Sequence, residues 1–184
     1  PSGSSSATCR NVSAAIVIPI IGIVKRDLDE YAVRITPFVD DVISLSEAGA
    51  NVIAVDGTNR PRPATIKQLL DAIRQHNIAS MADCSGIQDG LNAHEMGFDL
   101  IGSTLSGYTA DTACPSDAEP DWALVTALSQ RGCKVVAEGR LRTPEHASHA
   151  MVSGAYCVTV GSAITRIEHI TDWFVQAIKR ARNS

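Results

Sequence analysis

The sequence predicts an α/β protein built on a parallel sheet with right-handed crossovers. Short apolar runs alternate strictly with helix-patterned stretches, and each run ends in polar or ionisable residues. The runs are Ile18–Val24, Val52–Val55, Ile78–Ala82, Leu100–Gly102, Val135–Ala137 and Cys157–Val160. Each is too short for a helix and nearly continuous in apolar residues, as expected of a strand covered on both faces. Six such βα units in alternation imply a parallel sheet.

Ahead of the first run, Pro1–Thr8 is small, Ser-rich and without hydrophobic period, and is expected to be loose. Asn11–Ala15 reads as the end of a helix. Helices are predicted at Phe38–Ala48, Ile66–Gln75, Ile87–Met96, Trp122–Gln130, Pro144–Val152 and Ile167–Arg180. In the first, Phe38, Val39, Val42, Ile43 and Leu45 oppose acidic residues, and in the second Ile66, Leu69, Leu70 and Ile73 recur at helical spacing. Gly49, Gly97, Gly132 and Gly154 follow helix ends, where a left-handed residue stops the helix. Thr143-Pro144-Glu145 is a start signal, a capping hydroxyl followed by proline in the first turn.

Two architectures satisfy this alternation. No GxGxxG follows the first strand, which disfavours a dinucleotide-binding, doubly wound sheet. A (β/α)8 barrel needs eight units and typically about 250 residues, whereas this chain has 184 residues and six visible units.

Charge and cysteine usage exclude several function classes. A net charge of −4 and a pI near 5.7 give no basic face for nucleic acid. The short basic stretch Lys179-Arg180-Ala181-Arg182 reads as a solvated helix end, favoured by the helix dipole. The five cysteines (Cys9, Cys84, Cys114, Cys133, Cys157) form no CxxC pair. They suggest reduced thiols in a cytoplasmic protein, with no disulfide framework and no zinc signature. No apolar run reaches the roughly 20 residues of a membrane span, and no signal peptide is visible. No nucleic-acid or membrane partner is expected.

The functional expectation rests on the carboxyl ends of the strands, beyond which parallel α/β proteins bind ligands. Those ends deliver Lys25-Arg26-Asp27, Asp56-Gly57-Thr58, Asp83-Cys84-Ser85, Ser103-Thr104, Glu138-Gly139-Arg140 and Gly161-Ser162-Ala163. Helix caps also use Asp, Ser and Thr, so Asp83 has a capping reading towards the helix at Ile87, and Asp56 leans towards one. A Lys and a Glu directly after apolar runs are harder to explain as caps. Lys25 follows Ile21-Gly22-Ile23-Val24, so partial burial is expected, which would lower its pKa and make it a usable base. Glu138 is a candidate acid or base, with Arg140 or Lys25 as alternative structural partners. Gly139, Gly161 and Ser162, with Arg166 behind them, suit a phosphate held by backbone N–H groups. All five histidines (His76, His94, His146, His149, His169) fall in helical segments and read as surface residues. Cys84 and Cys157 read as core thiols.

Five segments then form a recognisable set. Pro19-Ile20-Ile21-Gly22-Ile23-Val24-Lys25-Arg26-Asp27, Asp56-Gly57-Thr58-Asn59-Arg60-Pro61-Arg62-Pro63, Thr104-Leu105-Ser106-Gly107-Tyr108-Thr109, Ala137-Glu138-Gly139-Arg140 and Val160-Gly161-Ser162-Ala163-Ile164-Thr165-Arg166 resemble the N-acylglucosamine-6-phosphate (N-acetylmannosamine-6-phosphate) 2-epimerases of bacterial sialic acid catabolism. The similarity runs from Pro19 to the C-terminal helix. It implies a phosphate-binding TIM (β/α)8 barrel that inverts C2 of N-acetylmannosamine 6-phosphate without a metal or organic cofactor. It also implies that Lys25 and Glu138 are the catalytic pair and that Asp83 and Arg166 line the substrate site. Thr58 and Arg140 are further substrate-binding candidates, and an amino-sugar phosphate is the expected small-molecule partner. The family carries further βα units, with a site-lining glutamine and arginine, ahead of the first motif. Residues 1–184 are therefore expected to form one barrel domain, N-terminally incomplete. The alternatives are another sugar-phosphate enzyme on this scaffold (an aldolase, decarboxylase or isomerase) or an inactive truncated remnant. Borohydride trapping of a Schiff base at Lys25 would mark the former. Trp173-Phe174 offers a homodimer contact, although a core role is the stronger expectation.

Overall fold

The structure, a computed structural model, describes residues 3–115 and 118–182. In chain order the elements are α1 (Gly3–Ala15), β1 (Ile21–Gly22), α2 (Val39–Glu47), β2 (Val52–Asp56), α3 (Ile66–Gln75), β3 (Ala79–Asp83), α4 (Ile87–Met96), β4 (Leu100–Gly102), α5 (Trp122–Gln130), β5 (Val135–Glu138), α6 (Pro144–Val152), β6 (Cys157–Thr159), α7 (Ser162–Thr165) and α8 (Ile167–Arg182). Six parallel strands lie in the order β1-β2-β3-β4-β5-β6 and form a curled, open sheet. A doubly wound sheet reverses its strand order at a switch point, and this one does not. The order is that of a barrel wall, which settles the choice the sequence pattern left open.

Alternation along the strands sorts the core into two layers. Ile53, Val55, Ala82, Ile101, Val135 and Ala137 belong to the large cluster under the helices, with Leu69, Ile73 and Leu128. On the opposite, concave face Ala54, Met81 and Val136 pack together, flanked by Ile23, Leu100 and Cys157. Two residues further along each strand, on this same inner face, come Lys25, Asp56, Asp83 and Glu138. The pleat thus turns an apolar layer into a row of ionisable groups at the strand ends.

The helix signals hold. Thr65 caps α3 and Thr143 caps α6, with Pro144 in its first turn. Gly49, Gly97, Gly132 and Gly154 all take positive φ, between 83° and 97°.

Four expectations need correction. Pro1 and Ser2 lie outside the described residues, but Gly3–Thr8 is helical instead of loose. The helix is held by tertiary contact: Cys9 is buried in the core, and the Ser13 hydroxyl donates to Ala48 O at 3.2 Å. The first strand is much shorter than Ile18–Val24, because only Ile21 and Gly22 pair with β2 and Ile18 is exposed. Phe174 is 68% exposed, so the core role expected of it is not met. The helix carrying it has no buried residue and lies beyond the edge strand β6. Trp173 is half-buried, with the Arg142 guanidinium 5.8 Å from its ring centroid. His146 is also half-buried, edge-on to Trp122 at 5.8 Å.

Asp56 is the fourth. It caps no helix. Its carboxylate accepts from Thr58 N (2.9 Å), Thr58 Oγ1 (2.6 Å), Arg60 (2.6 Å) and Arg62 (3.0 Å). Asp56 thereby ties the β2–α3 loop into one buried ionic knot. The Arg62 guanidinium is largely buried, and that burial pulls its pKa down against the attraction of Asp56. Asp56→Ala is expected to cost about 3–5 kcal/mol, because it strands a buried cation. Urea unfolding of the variant checks this.

Candidate active site

The site is built from the ends of four strands. β2 and β3 pair Asp56 with Asp83, and β3 pairs Asp83 with Gly102. β4 pairs Gly102 with Val136, so Thr104 comes level with Glu138 across the β4–β5 seam. Lys25 arrives from the far side of β1, where its backbone forms an antiparallel bridge with Ile35. Thr36 fixes this hairpin: its N–H donates to Val24 O at 2.7 Å and its Oγ1 accepts from Val24 N at 3.2 Å. Arg26, next to Lys25, is anchored on Asp41 through Nε at 3.0 Å and a second contact at 2.5 Å.

The structure brings Lys25, Asp83 and Glu138 together. The charge of Lys25 acts on both carboxyls, and the charge of Glu138 acts on Asp83. Asp83 is 3% exposed and is not the cap of α4, whose N-cap is Gly86. Burial drives its pKa up to about 7. A hydrogen bond from Thr104 and the charge of Lys25 oppose the shift, while Glu138 and Asp56 add to it. Glu138 is half-buried, and burial raises its pKa against the pull of Lys25 and Thr104. Lys25 itself is exposed, contrary to the partial burial expected from the run before it. The reason is topological: among the described residues β1 is an edge strand, paired with β2 on one side alone.

A carboxyl whose folded-state pKa lies above its unfolded value makes the native state hold the extra proton. Its stabilising contribution is full below about pH 4. The contribution is lost as pH rises through about 7, the folded value of Asp83. Native stability is therefore expected to carry a component of a few kcal/mol that falls across this window. Asp83→Asn should remove that slope, as unfolding midpoints measured from acid to neutral pH will reveal.

The remaining candidates have identifiable surroundings. Thr58 is buried inside the Asp56 knot, its hydroxyl also accepting from Arg60 Nε at 2.8 Å. Arg140 adopts a left-handed φ of 58° directly after Gly139 at 106°. These consecutive residues turn the chain sharply off β5. The Arg140 guanidinium donates to Ser106 O (2.5 Å) and Glu119 O (2.9 Å), which pins the β4–α5 loop. Arg140 and that loop line a concavity of about 290 Å³ with Gly107, Tyr108, Cys114 and Pro115. Glu138 pairs with Thr159, so Gly139 and Gly161 leave adjacent strands at the same end. Gly161 precedes Ser162, the first residue of α7. A side chain at Gly161 would meet no atom within 4 Å. Arg166 is exposed and paired with Glu168.

Two positions had no role in the sequence reading. The Ser103 hydroxyl donates to Glu138 O at 2.9 Å and accepts from Glu138 N at 3.0 Å. Thr104 Oγ1 donates to Asp83 Oδ1 at 2.6 Å, and Thr104 lies level with Glu138 across the β4–β5 seam. The signal for Thr104 was its spacing, since it continues the inward parity of Leu100 and Gly102. Among the described residues no group of three or more His, Cys, Asp or Glu is arranged to hold a metal ion. All five cysteines are free, and no helix among the described residues is long and apolar enough to cross a membrane.

Comparison with known proteins gives a consistent result. Residues 4–180 match the family described as "Putative N-acetylmannosamine-6-phosphate epimerase". Curated relatives carry the corresponding 2-epimerase description. One from Edwardsiella ictaluri is 55% identical over 94% of this chain and 72% of its own length. Another from Salmonella arizonae is 53% identical over 94% of this chain and 74% of its own. The chain thus spans about three quarters of these proteins' length. Among solved structures, the N-acetylmannosamine-6-phosphate 2-epimerase from Clostridium perfringens superposes with a TM-score of 0.88 at 36% identity, covering 92% of this chain and 74% of that one. A thiamine phosphate pyrophosphorylase from Pyrococcus furiosus, at 15% identity and TM-score 0.60 over 91% of this chain and 71% of that one, shares the fold alone.

Proposed function

This chain belongs to the N-acetylmannosamine-6-phosphate epimerase family, and from that premise we propose that Lys25 and Glu138 carry out the inversion at C2. The chain is an isomerase that converts N-acetylmannosamine 6-phosphate to N-acetylglucosamine 6-phosphate. The reading is supported most directly by the convergence of Lys25, Asp83 and Glu138 on one inner face.

The chemistry follows from the substrate. In the ring form C2 bears no adjacent carbonyl, so its proton is not acidic. Ring opening exposes the C1 aldehyde, and loss of the C2 proton then gives an enediol-type intermediate. Returning a proton to the opposite face completes the inversion. Lys25 takes the C2 proton, its ammonium exchanges that proton with solvent, and it returns a proton to the opposite face once the open-chain intermediate has turned that face towards Nζ. Its exposed side chain at the mouth of the sheet lies where a sugar can reach it. Glu138, charged and backed by Ser103, orients the sugar and steadies the ammonium. Asp83 and Arg166 serve as substrate contacts, with Thr58 and Arg140 supporting the loops around them. Backbone N–H groups at Gly139, Gly161 and Ser162 receive the 6-phosphate beyond β5 and β6.

The exposed Phe174, Ile167 and Ile178 of α8 give the homodimer reading its surface, which sedimentation at increasing concentration tests. Free thiols suit a cytoplasmic setting. The function is tested by incubating the chain with N-acetylmannosamine 6-phosphate alone and following the anomeric proton signals by NMR. N-Acetylglucosamine 6-phosphate is expected to grow in to a constant ratio without any added cofactor. A spectrum unchanged at high enzyme concentration contradicts the reading.

A further inference from the structure

Resting on the epimerase reading above, we propose that Thr36 is a positioning residue for the reaction: its hydroxyl and its left-handed backbone lock the chain next to Lys25, so that an exposed amine is presented in one place.

The need for a lock follows from where β1 stops. Gly22 stands opposite Ile53 on β2, and the same register carried on would set Lys25 opposite Asp56. Ile35 occupies that place instead. The Asp56 N–H donates to Ile35 O at 3.1 Å, and Lys25 in turn forms its antiparallel bridge with Ile35. The returning arm of the hairpin has taken the end of β2. The position of Lys25 therefore depends on the hairpin and not on the sheet ladder.

Thr36 closes that hairpin at a strained position. Its φ is 43°, an outlier for a β-branched residue. Pro37 follows, and a residue before proline is pushed towards extended backbone. Glycine would take this φ freely. What threonine adds is the hydroxyl. Thr36 Oγ1 accepts from Val24 N at 3.2 Å while Thr36 N donates to Val24 O at 2.7 Å, so one residue satisfies both peptide groups of Val24. Val24 is 4% exposed and Thr36 is fully enclosed, and a buried N–H without a partner is costly. Strain and bonds are linked, because relaxing Thr36 to extended backbone breaks both contacts. Strained residues persist where their surroundings over-determine them, and they cluster at functional sites.

The other neighbour of Lys25 is held as well. Arg26 N donates to Arg34 O at 2.9 Å, and the Arg26 guanidinium grips Asp41 in the first turn of α2. The hairpin loop is tied to the Asp56 knot through Arg60 Nη1, which donates to Ala32 O at 3.4 Å. With Val24 and Arg26 fixed, the freedom left to Lys25 is that of its side chain. A displacement of about 1 Å at a reacting group costs on the order of 100-fold in rate, which sets the scale of what the lock protects.

The test pairs backbone amide exchange of the substrate-free protein with C2 proton-exchange kinetics. Thr36→Val keeps the branched shape and drops the hydroxyl. It is expected to speed Val24 amide exchange at least about tenfold while the amides of β3 and β5 stay as protected as before. It should also lower kcat on the order of 100-fold with KM within about twofold. Thr36→Ser, which keeps the hydroxyl, restores both protection and rate. In a Lys25→Ala background Thr36→Val is expected to remove no further rate, because the group it positions is gone. A valine variant that turns over like wild type overturns the proposal. So does one whose loss in the Lys25→Ala background equals its loss in wild type. Thr36→Gly relaxes the backbone and serves where valine does not fold: it is expected to be slow for want of the hydroxyl, and a glycine variant at the wild-type rate also overturns the proposal. Amide exchange needs no substrate. Val24 protection that follows the Thr36 hydroxyl in a protein inactive on the sugar phosphate would uphold the lock and sink the epimerase reading alone.

Discussion

Lys25→Ala is expected to lower C2 proton exchange by at least about a thousandfold, within the range general-base removal costs. The expectation rests on what the side chain does and does not touch. Lys25 continues the inner face of β1, and its charge reaches both Asp83 and Glu138. It is exposed and buries no core surface, so its loss should leave stability within about 0.5 kcal/mol. The hairpin that presents it is held by Thr36, Val24 and the Arg26–Asp41 ion pair, none of which the substitution disturbs. Lost exchange with an unchanged unfolding midpoint would therefore report chemistry and not folding. Near-normal exchange in the alanine variant would remove Lys25 as the base.

Glu138→Gln is expected to reduce kcat on the order of 100- to 1000-fold. The amide keeps the shape, and Ser103 still clamps the backbone. What disappears is a negative charge beside Lys25. A second readout follows from the electrostatics. The charge of Glu138 helps raise Asp83, so its neutralisation should let the Asp83 titration move downward. NMR titration of Asp83 in this variant checks the direction, and an upward movement would show that the two carboxyls do not interact as described.

Much of this was legible in the chain, for identifiable reasons. Val135 and Val136 before Glu138 marked a buried strand ending in a carboxylate, and β5 has that form. The glycine helix stops and the Thr143-Pro144 start depend on local backbone geometry, which sequence reports well. Other features depend on distant partners. Sequential and doubly wound sheets share the same βα alternation, so the strand order became evident only from the pairing. The Ser-rich residues of α1 carry little helical pattern, and their order comes from Cys9 and Ser13 meeting the core and α2. The exposure of Lys25 and Phe174 depends on what covers the edge strands, and no residue spacing encodes that. Asp56 looked like a cap because Asp is a common cap. Its true partners, Arg60 and Arg62, reach back around the following loop. Thr104 sat in a quoted motif without a role, because its hydroxyl gains meaning only when β3 and β5 flank it.

The central claim is that this chain inverts C2 by removing and returning its proton. Turnover of N-acetylmannosamine 6-phosphate in deuterium oxide tests it directly. The account predicts N-acetylglucosamine 6-phosphate bearing solvent deuterium at C2 and nowhere else on the carbon skeleton. Product formed without C2 deuterium would contradict it.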